Sequence, residues 1–409
     1  MNFKEIDTLP EVGPIMNGVS CAGCHSQPAI GGGGLFINEV RVRNNMHPGP
    51  LHIFAVDNFL RNNPQTQGNN KIFPQGVEAA PLGCQITAPG CQLSSCQMEE
   101  AQRTAFQPSL PTCDTASQDF NDGKNCMAGR SALAVFGDGL VEAVSDQTLE
   151  EIAQSEPPQI QGTVKMVIED FANVPRVPHV GRFGWKDDHA ALRGFAGDAY
   201  LNEMGITNPD NQQELSECAL DETPYGLQLE TPQGTIEDTT GADGRADIDR
   251  FSDFMSALAP PPTLPQNASA KNGATLFASL GCAGCHTPSL TTASSPSSFI
   301  PANTGGVPIS LTLNQTLANQ TFHLYSDFLL HDMGSPGDGI TSGTAGPTMM
   351  RTAPLWGVRG KSHLLHDGRA GDLSAAINLH DGQGKAAAQA FGALRTDQQQ
   401  DLMNFLNTL

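Results

Sequence analysis

Cys21-Ala22-Gly23-Cys24-His25 recurs letter for letter as Cys282-Ala283-Gly284-Cys285-His286. Two thiols spaced in this way lie within one turn, close enough to add to the two vinyl groups of one porphyrin. The histidine that follows is then carried under the iron. A zinc site wants four clustered ligands and no fixed His directly after the second Cys. A thioredoxin-type pair wants a βαβ setting, and the flanks here show no strand-rich pattern. A single copy is open to accident. Two identical copies read as two covalently bound c-type haems, attached through Cys21, Cys24, Cys282 and Cys285, with His25 and His286 as proximal iron ligands.

The rest of the chain is consistent with that reading. Its 409 residues suggest two or three domains with real cores. Hydrophobic residues make up 38%, while Gly numbers 43 and Pro 29, which suits a globular protein with long loops ordered around cofactors. Lys and Arg number 22 against 43 acidic residues, a net charge of -21. That excess argues against nucleic acid and anionic lipid as partners, and favours a small basic or neutral redox protein or a small uncharged oxidant. No run approaches the ~20 apolar residues of a membrane span. Met1-Asn2-Phe3-Lys4-Glu5 leads into polar and turn residues rather than a signal peptide. Covalent haem attachment takes place outside the cytoplasm, so the expected location is the periplasm or another exported compartment, with the signal peptide removed.

Six cysteines remain outside the two motifs: Cys84, Cys91, Cys96, Cys113, Cys126 and Cys218. An even remainder, five of them between 84 and 126 with no His interleaved, reads as a disulfide-stapled insertion whose pairing the sequence leaves open. Residues 40–130 are turn-rich and read as an irregular loop region. Helical spacing recurs over 131–155 through Leu140, Val141, Val144, Leu149 and Ile152, with Asp146 as N-cap. Gly181-Arg182-Phe183-Gly184-Trp185-Lys186 precedes an amphipathic helix with Leu192, Phe195, Ala196, Ala199, Tyr200 and Met204 on its buried face. A short helix over 246–258 stops at Pro260-Pro261-Pro262, the best domain boundary. Beyond it, a helix over 270–280 runs into Cys282, and a last helix over 397–408 takes Thr396 as N-cap and buries Leu402, Phe405 and Leu406. A weak internal repeat pairs Arg130–Gly137 with Arg351–Gly357. The expected architecture is mainly α, with two cytochrome c-like domains and long irregular loops. Residues 1–259 would carry the first haem and the insertion at about 40–130, and residues 267–409 the second haem.

Tyr325-Ser-Asp-Phe-Leu-Leu-His331-Asp-Met-Gly334, Arg351-Thr-Ala-Pro-Leu-Trp-Gly357 and Leu365-His366-Asp367-Gly368-Arg369-Ala370 resemble the bacterial di-haem cytochrome c peroxidase and MauG-like superfamily. Together with the 181–186 run and Asn202-Glu203-Met204-Gly205-Ile206-Thr207, they are most similar to its di-haem oxidoreductase branch, also labelled thiol oxidoreductase. The likeness covers nearly the whole chain but is poor over 40–125.

In the peroxidase relatives the second haem takes its distal ligand, usually Met, from a position fourteen residues past the His of the HDG motif. Here 366 + 14 gives His380, so the resemblance implies a bis-His second haem with His286 below and His380 above. His380 also sits at the end of a helix over 373–379, where a side chain can be aimed. The competing reading is a histidine that only caps that helix end. Imidazole in place of thioether lowers the reduction potential.

The resemblance implies that oxidant chemistry occurs at the first haem. For its distal side His47 and His52 are nearest in sequence, Lys186 and His189 are rivals, and an open site is a further alternative. The relatives use a Glu of the first module to move a proton during O–O cleavage, and Glu142 is the candidate, against the bland reading of an exposed helix glutamate. They also place a Trp between the haems; this chain has only Trp185 and Trp356, and Trp185 is either a relay or a core residue. His366 reads as contacting a propionate or supporting a ligand; His331 has no derivable role; His323 and His363 read as surface or structural. A Ca²⁺ between the domains, as in the peroxidases, has no carboxylate signature here.

The expected activity is that of a peroxidase-like di-haem oxidoreductase. The second haem would pass electrons to the first, where hydrogen peroxide or another oxidant is activated. The competing classes are a di-haem electron carrier with no substrate site and a MauG-like oxygenase or protein-modifying enzyme, which fold alone does not separate.

Overall fold

The computed structural model describes residues 15–16, 21–26, 28–34, 39–43, 49–51, 54–55, 126–169, 171, 176–204, 206–212, 236, 238–295 and 316–409. Over these the chain is helix-rich, with strands that are few and short. The helices are α1 (Cys21–Cys24), α2 (Asp138–Glu142), α3 (Asp146–Ser155), α4 (Leu192–Met204), α5 (Asp247–Ala257), α6 (Ala268–Ser279), α7 (Leu373–Asn378), α8 (Lys385–Gly392) and α9 (Thr396–Leu406). The strand pairs are all antiparallel.

The sequence periodicity places these helices well, and their ends shift for local reasons. The stretch 131–155 is split, because residues 131–135 are irregular and Phe136-Gly137 turn into α2, and Val144-Ser145 break it from α3. Ser145, not Asp146, caps α3, its hydroxyl accepting from Thr148 N at 3.1 Å. Asp146 instead takes the Arg182 guanidinium and lies 2.8 Å from His179 Nδ1. The cap of α9 is Arg395, and Thr396 is its first residue. On α4, Phe195 and Ala199 are only half-buried. Arg193 and Gly194 are buried instead, because Asp249 and Asp210 pair with the Arg193 guanidinium.

The stretch expected to be irregular carries strands at both ends. Glu39–Arg43 is the centre of a three-stranded sheet, flanked by Gly49–Leu51 and by Cys126–Arg130. The Val-Arg alternation of 39–43 is a two-residue period, the signal of a strand, hidden among turn residues. Cys84, Cys91, Cys96, Cys113 and Cys218 lie outside the described residues, and Cys126 is described by its backbone alone. The expected disulfides therefore fall outside the described residues.

Two apolar clusters organise the packing. One joins α2, α4 and α5 through Val141, Leu192, Tyr200, Ile248, Phe251 and Met255, and it recruits Leu324, Phe328 and Trp356 from the C-terminal part of the chain. The other is built on α6 and α9, with Phe277, Leu402, Phe405 and Leu406. Phe277, Tyr325 and Phe405 form a triangle of edge contacts at 5.4–5.7 Å. Each fully buried Phe contributes roughly 1.5–3 kcal/mol. Helices α6 and α9 approach so closely at Gly273 that an added Cβ would lie 2.0 Å from Asp401 O. The same contact is pinned by the Ser269 hydroxyl on Asp401 and by Asn404 Nδ2 donating to Ser269 Oγ at 2.8 Å. The Phe277 end of α6 leads directly into the second CAGCH run.

Candidate haem-binding and redox site

At the second motif, Gly281 adopts φ +88° and starts a tight 3-10 turn over Cys282–Gly284. His286 N closes it on Cys282 O at 3.0 Å. This brings two half-buried thiols that are not disulfide-bonded into one turn beside the His286 ring. Burial pushes the Cys282 thiol up to about 11.

The His286 ring bonds through Nδ1 to Tyr325 O at 3.0 Å. Tyr325 itself sits in the left-handed region, at φ 56°. His380, just past the end of α7, bonds through Nδ1 to Ala376 O at 2.8 Å. The carbonyls select the tautomer that leaves both Nε2 atoms available to a metal. The two ring centroids lie 6.4 Å apart, with the ring planes tilted by 57°. A metal–imidazole bond of about 2 Å on each side, with about 1 Å from ring centre to nitrogen, sums to about 6 Å. The gap therefore fits an iron between them. Burial lowers both histidines, His286 to about 4 with His380 adding to the effect, so both are held as the neutral imidazoles a metal needs.

The first motif repeats the device. Helix α1 holds Cys21, His25 N closes on Cys21 O at 2.9 Å, and His25 bonds through Nδ1 to Leu133 O at 2.8 Å. Burial lowers His25 as well. His47 and His52, the candidates for its other face, lie outside the described residues.

The rival ligands are engaged elsewhere. Lys186 is fully buried and donates to Gly346 O at 2.9 Å and Met349 O at 2.7 Å, with Asp338 Oδ1 at 3.0 Å. Arg130 Nε shares Asp338 at 2.9 Å. His189 lies 3.5 Å from both Glu169 and Asp198. Burial works against its charge, but the two carboxylates outweigh it and lift it to about 10. An imidazolium cannot ligate iron.

Leu133 also lines a small pocket. Its apolar wall includes Phe183, Phe195 and Trp356, and its polar groups are Asp138, Arg351 and Lys361. Asp138 was not singled out in the sequence. It is buried, and burial raises its carboxyl to about 7. Glu142, one turn along α2, is buried rather than exposed, and burial raises it to about 7 too. Its Oε1 accepts from Leu192 N at 2.7 Å, at the start of α4. Both carboxyls can therefore hold or release a proton near neutral pH, but Asp138 is the one at the pocket wall.

Trp185 Nε1 donates to Ser131 O at 2.9 Å, and its ring makes a T-shaped contact with His366 at 6.2 Å. His366 O in turn accepts from Ser131 N at 2.6 Å. Burial lowers His366 to about 4. His323 and His363 are exposed. His331 is buried, with Nε2 3.0 Å from Asp327 Oδ2 and Nδ1 3.6 Å from Cys285 Sγ. Burial opposes its charge, but Asp327 foremost lifts it to about 10. Among the described residues Cys285, Asp327 and His331 form the grouping of metal-ligating type. Its sulfur and nitrogen do not suit Ca²⁺, which takes oxygen ligands.

Paired thiols followed by a carbonyl-anchored histidine, seen at the second motif and echoed at the first, are the donor set of a haem-carrying redox protein. The family described as "Di-haem oxidoreductase, putative peroxidase" matches residues 103–409, three quarters of the sequence, so the chain belongs to the di-haem oxidoreductase family. The first CAGCH run lies ahead of the matched stretch. No curated protein matches. Among solved structures, one of Kuenenia stuttgartiensis hydrazine synthase under 20 bar of xenon is 18% identical, covering 47% of this chain and 60% of that chain, with a TM-score of 0.27. A likeness that slight carries no argument.

Proposed function

We propose that the chain is an exported di-haem c-type redox enzyme of peroxidase type. When bound, each haem supplies one-electron chemistry, and a haem with an open coordination position supplies activation of an oxidant such as hydrogen peroxide. Cys282 and Cys285 would hold the second haem, with His286 and His380 on its two faces. The observation that carries this reading is the 6.4 Å separation of those two ring centroids, each ring anchored by its own Nδ1. A site closed on both faces suits electron relay rather than substrate binding.

Cys21, Cys24 and His25 would hold the first haem, with His47 or His52 as candidates for the far face. Asp138 and Glu142 would serve there as proton carriers, since each holds its proton near neutral pH. A positioned group of that kind is worth ~10²–10⁴ in rate. Trp185 and His366 would bridge the two haems, a role supported by their edge contact and the shared Ser131. Residues 1–259 and 267–409 would be the two cytochrome c-like domains. The electron partner would be a small redox protein with a basic or neutral face, given the net charge of -21. Export follows from the site of covalent haem attachment.

The test is carbon monoxide added to the reduced holoprotein. One haem should bind the gas and the other should not. If neither binds it, and peroxide leaves the spectrum unchanged, the chain is an electron carrier.

A further inference from the structure

The pocket lined by Leu133, whose carbonyl holds His25, carries two cationic side chains, Arg351 and Lys361. Arg351 is buried, its Nη1 donates to Arg182 O at 3.2 Å and its guanidinium lies over the Phe328 ring, but its Nε has no hydrogen-bond partner and meets Asp187 only as an ion pair at 3.8 Å. Lys361 enters the same pocket from the turn after Val358–Gly360. No carboxylate pairs with it among the described residues, and burial together with Arg351 lowers it to about 8. Burial leaves Asp138, the one carboxyl on the wall, with its proton bound up to about pH 7. A buried guanidinium and a half-buried ammonium thus line one pocket in a chain whose net charge is -21. Buried charges are ordinarily paired, because desolvation without a partner is costly.

We propose that Arg351 and Lys361 form a carboxylate-binding site in the pocket beside His25. The guanidinium offers a planar fork suited to a carboxylate, and the ammonium a second point charge. Phe183, Phe195 and Trp356 supply the apolar wall a carbon skeleton needs. The carboxylate is either a propionate of the haem at the first motif or that of a small molecule. The inference rests on the di-haem reading, and it deepens that reading by making the C-terminal part of the chain close the first site.

The test uses holoprotein and the variants Lys361→Gln and Lys361→Arg, followed by redox titration in the visible region. If a propionate occupies the site, Lys361→Gln shifts one of the two haem midpoints downward, because a cation that favoured the reduced iron is gone. A tenfold change in the reduced-to-oxidised ratio corresponds to about 59 mV. Lys361→Arg restores the midpoint, the other haem does not move, and succinate leaves the wild-type spectrum unchanged. If a free carboxylate occupies it, succinate perturbs one wild-type haem saturably, and Lys361→Gln weakens that binding at least tenfold. Unmoved midpoints together with no succinate response overturn the proposal. A stoichiometry of one haem per chain instead overturns the di-haem reading, and the propionate arm with it.

Discussion

The imidazole centroids of His286 and His380 lie 6.4 Å apart, each ring fixed by its own Nδ1 on a main-chain carbonyl. Ninety-four residues separate them (380 − 286), and the carbonyls come from Tyr325 and Ala376, on different segments. Their mutual aim is therefore a product of tertiary packing. His380→Ala should turn the second haem high-spin, read by electron paramagnetic resonance. His380→Met should keep it low-spin and raise its potential, as thioether ligation does. A wild-type spectrum in both variants would sink the ligand assignment.

Asp138 and Glu142 make opposite demands on stability and turnover. Burial raises each to about 7, so the folded chain binds more protons than the unfolded one between about pH 4 and 7. Stability then falls as pH rises through that window, by up to about 1.4 kcal/mol per pH unit for each group. Relative to wild type, Asp138→Asn should gain stability between about pH 5 and 8, measured by urea unfolding. The same variant should lose ~10²–10⁴ in peroxide turnover. Turnover unchanged in both Asp138→Asn and Glu142→Gln would remove these carboxyls from the chemistry.

Asp338 neutralises two cations that arrive from distant parts of the chain. Its carboxylate meets Arg130 and Lys186 with no solvent exposure on its own side chain. Asp338→Ala leaves both without their counter-ion, a change that costs ~3–5 kcal/mol in buried pairs. Asp338→Asn should recover part of that. Denaturant midpoints measure both.

Gly273 sets the distance between α6 and α9. An added methyl would lie 2.0 Å from Asp401 O, and backbone cannot move aside cheaply. Gly273→Ala should destabilise by ~1–3 kcal/mol through overpacking, despite the better helix propensity of Ala. Thermal unfolding with the Soret band as probe would show the surroundings of the second haem lost at a lower temperature. An unchanged midpoint would mean that the helices separate freely.

The sequence disclosed what depends on local order. The two CAGCH runs, the helix entering the second one and the closing helix follow from spacing and periodicity. His380 as a ligand is what the resemblance implies, fourteen residues past His366, and α7 lies within that interval. Asp138 was passed over: an Asp opening a short helix reads as a cap, and only the surrounding Arg351 and Trp356 mark it as a pocket residue. Lys186 looked available because Gly184-Trp185-Lys186 is a turn; its partners Asp338, Gly346 and Met349 lie about 150 residues on. Glu142 was chosen for its position after a repeat and is buried as a catalytic acid would be, yet its carboxylate also supports the start of α4.

His25 reaches its carbonyl across 108 residues, whereas His286 needs only 39. Chain closure scales as (3/2)RT ln n, so ordering the first histidine costs about 0.9 kcal/mol more than ordering the second from an unfolded chain. If the chain is exported, as proposed, it emerges N-terminus first, and the first motif would wait for Leu133 until about 108 further residues had followed. Crosslinks among the cysteines between 84 and 126 would shorten that loop and narrow the difference. The two identical pentapeptides would then differ in when they mature: the later one in the chain has its partner sooner.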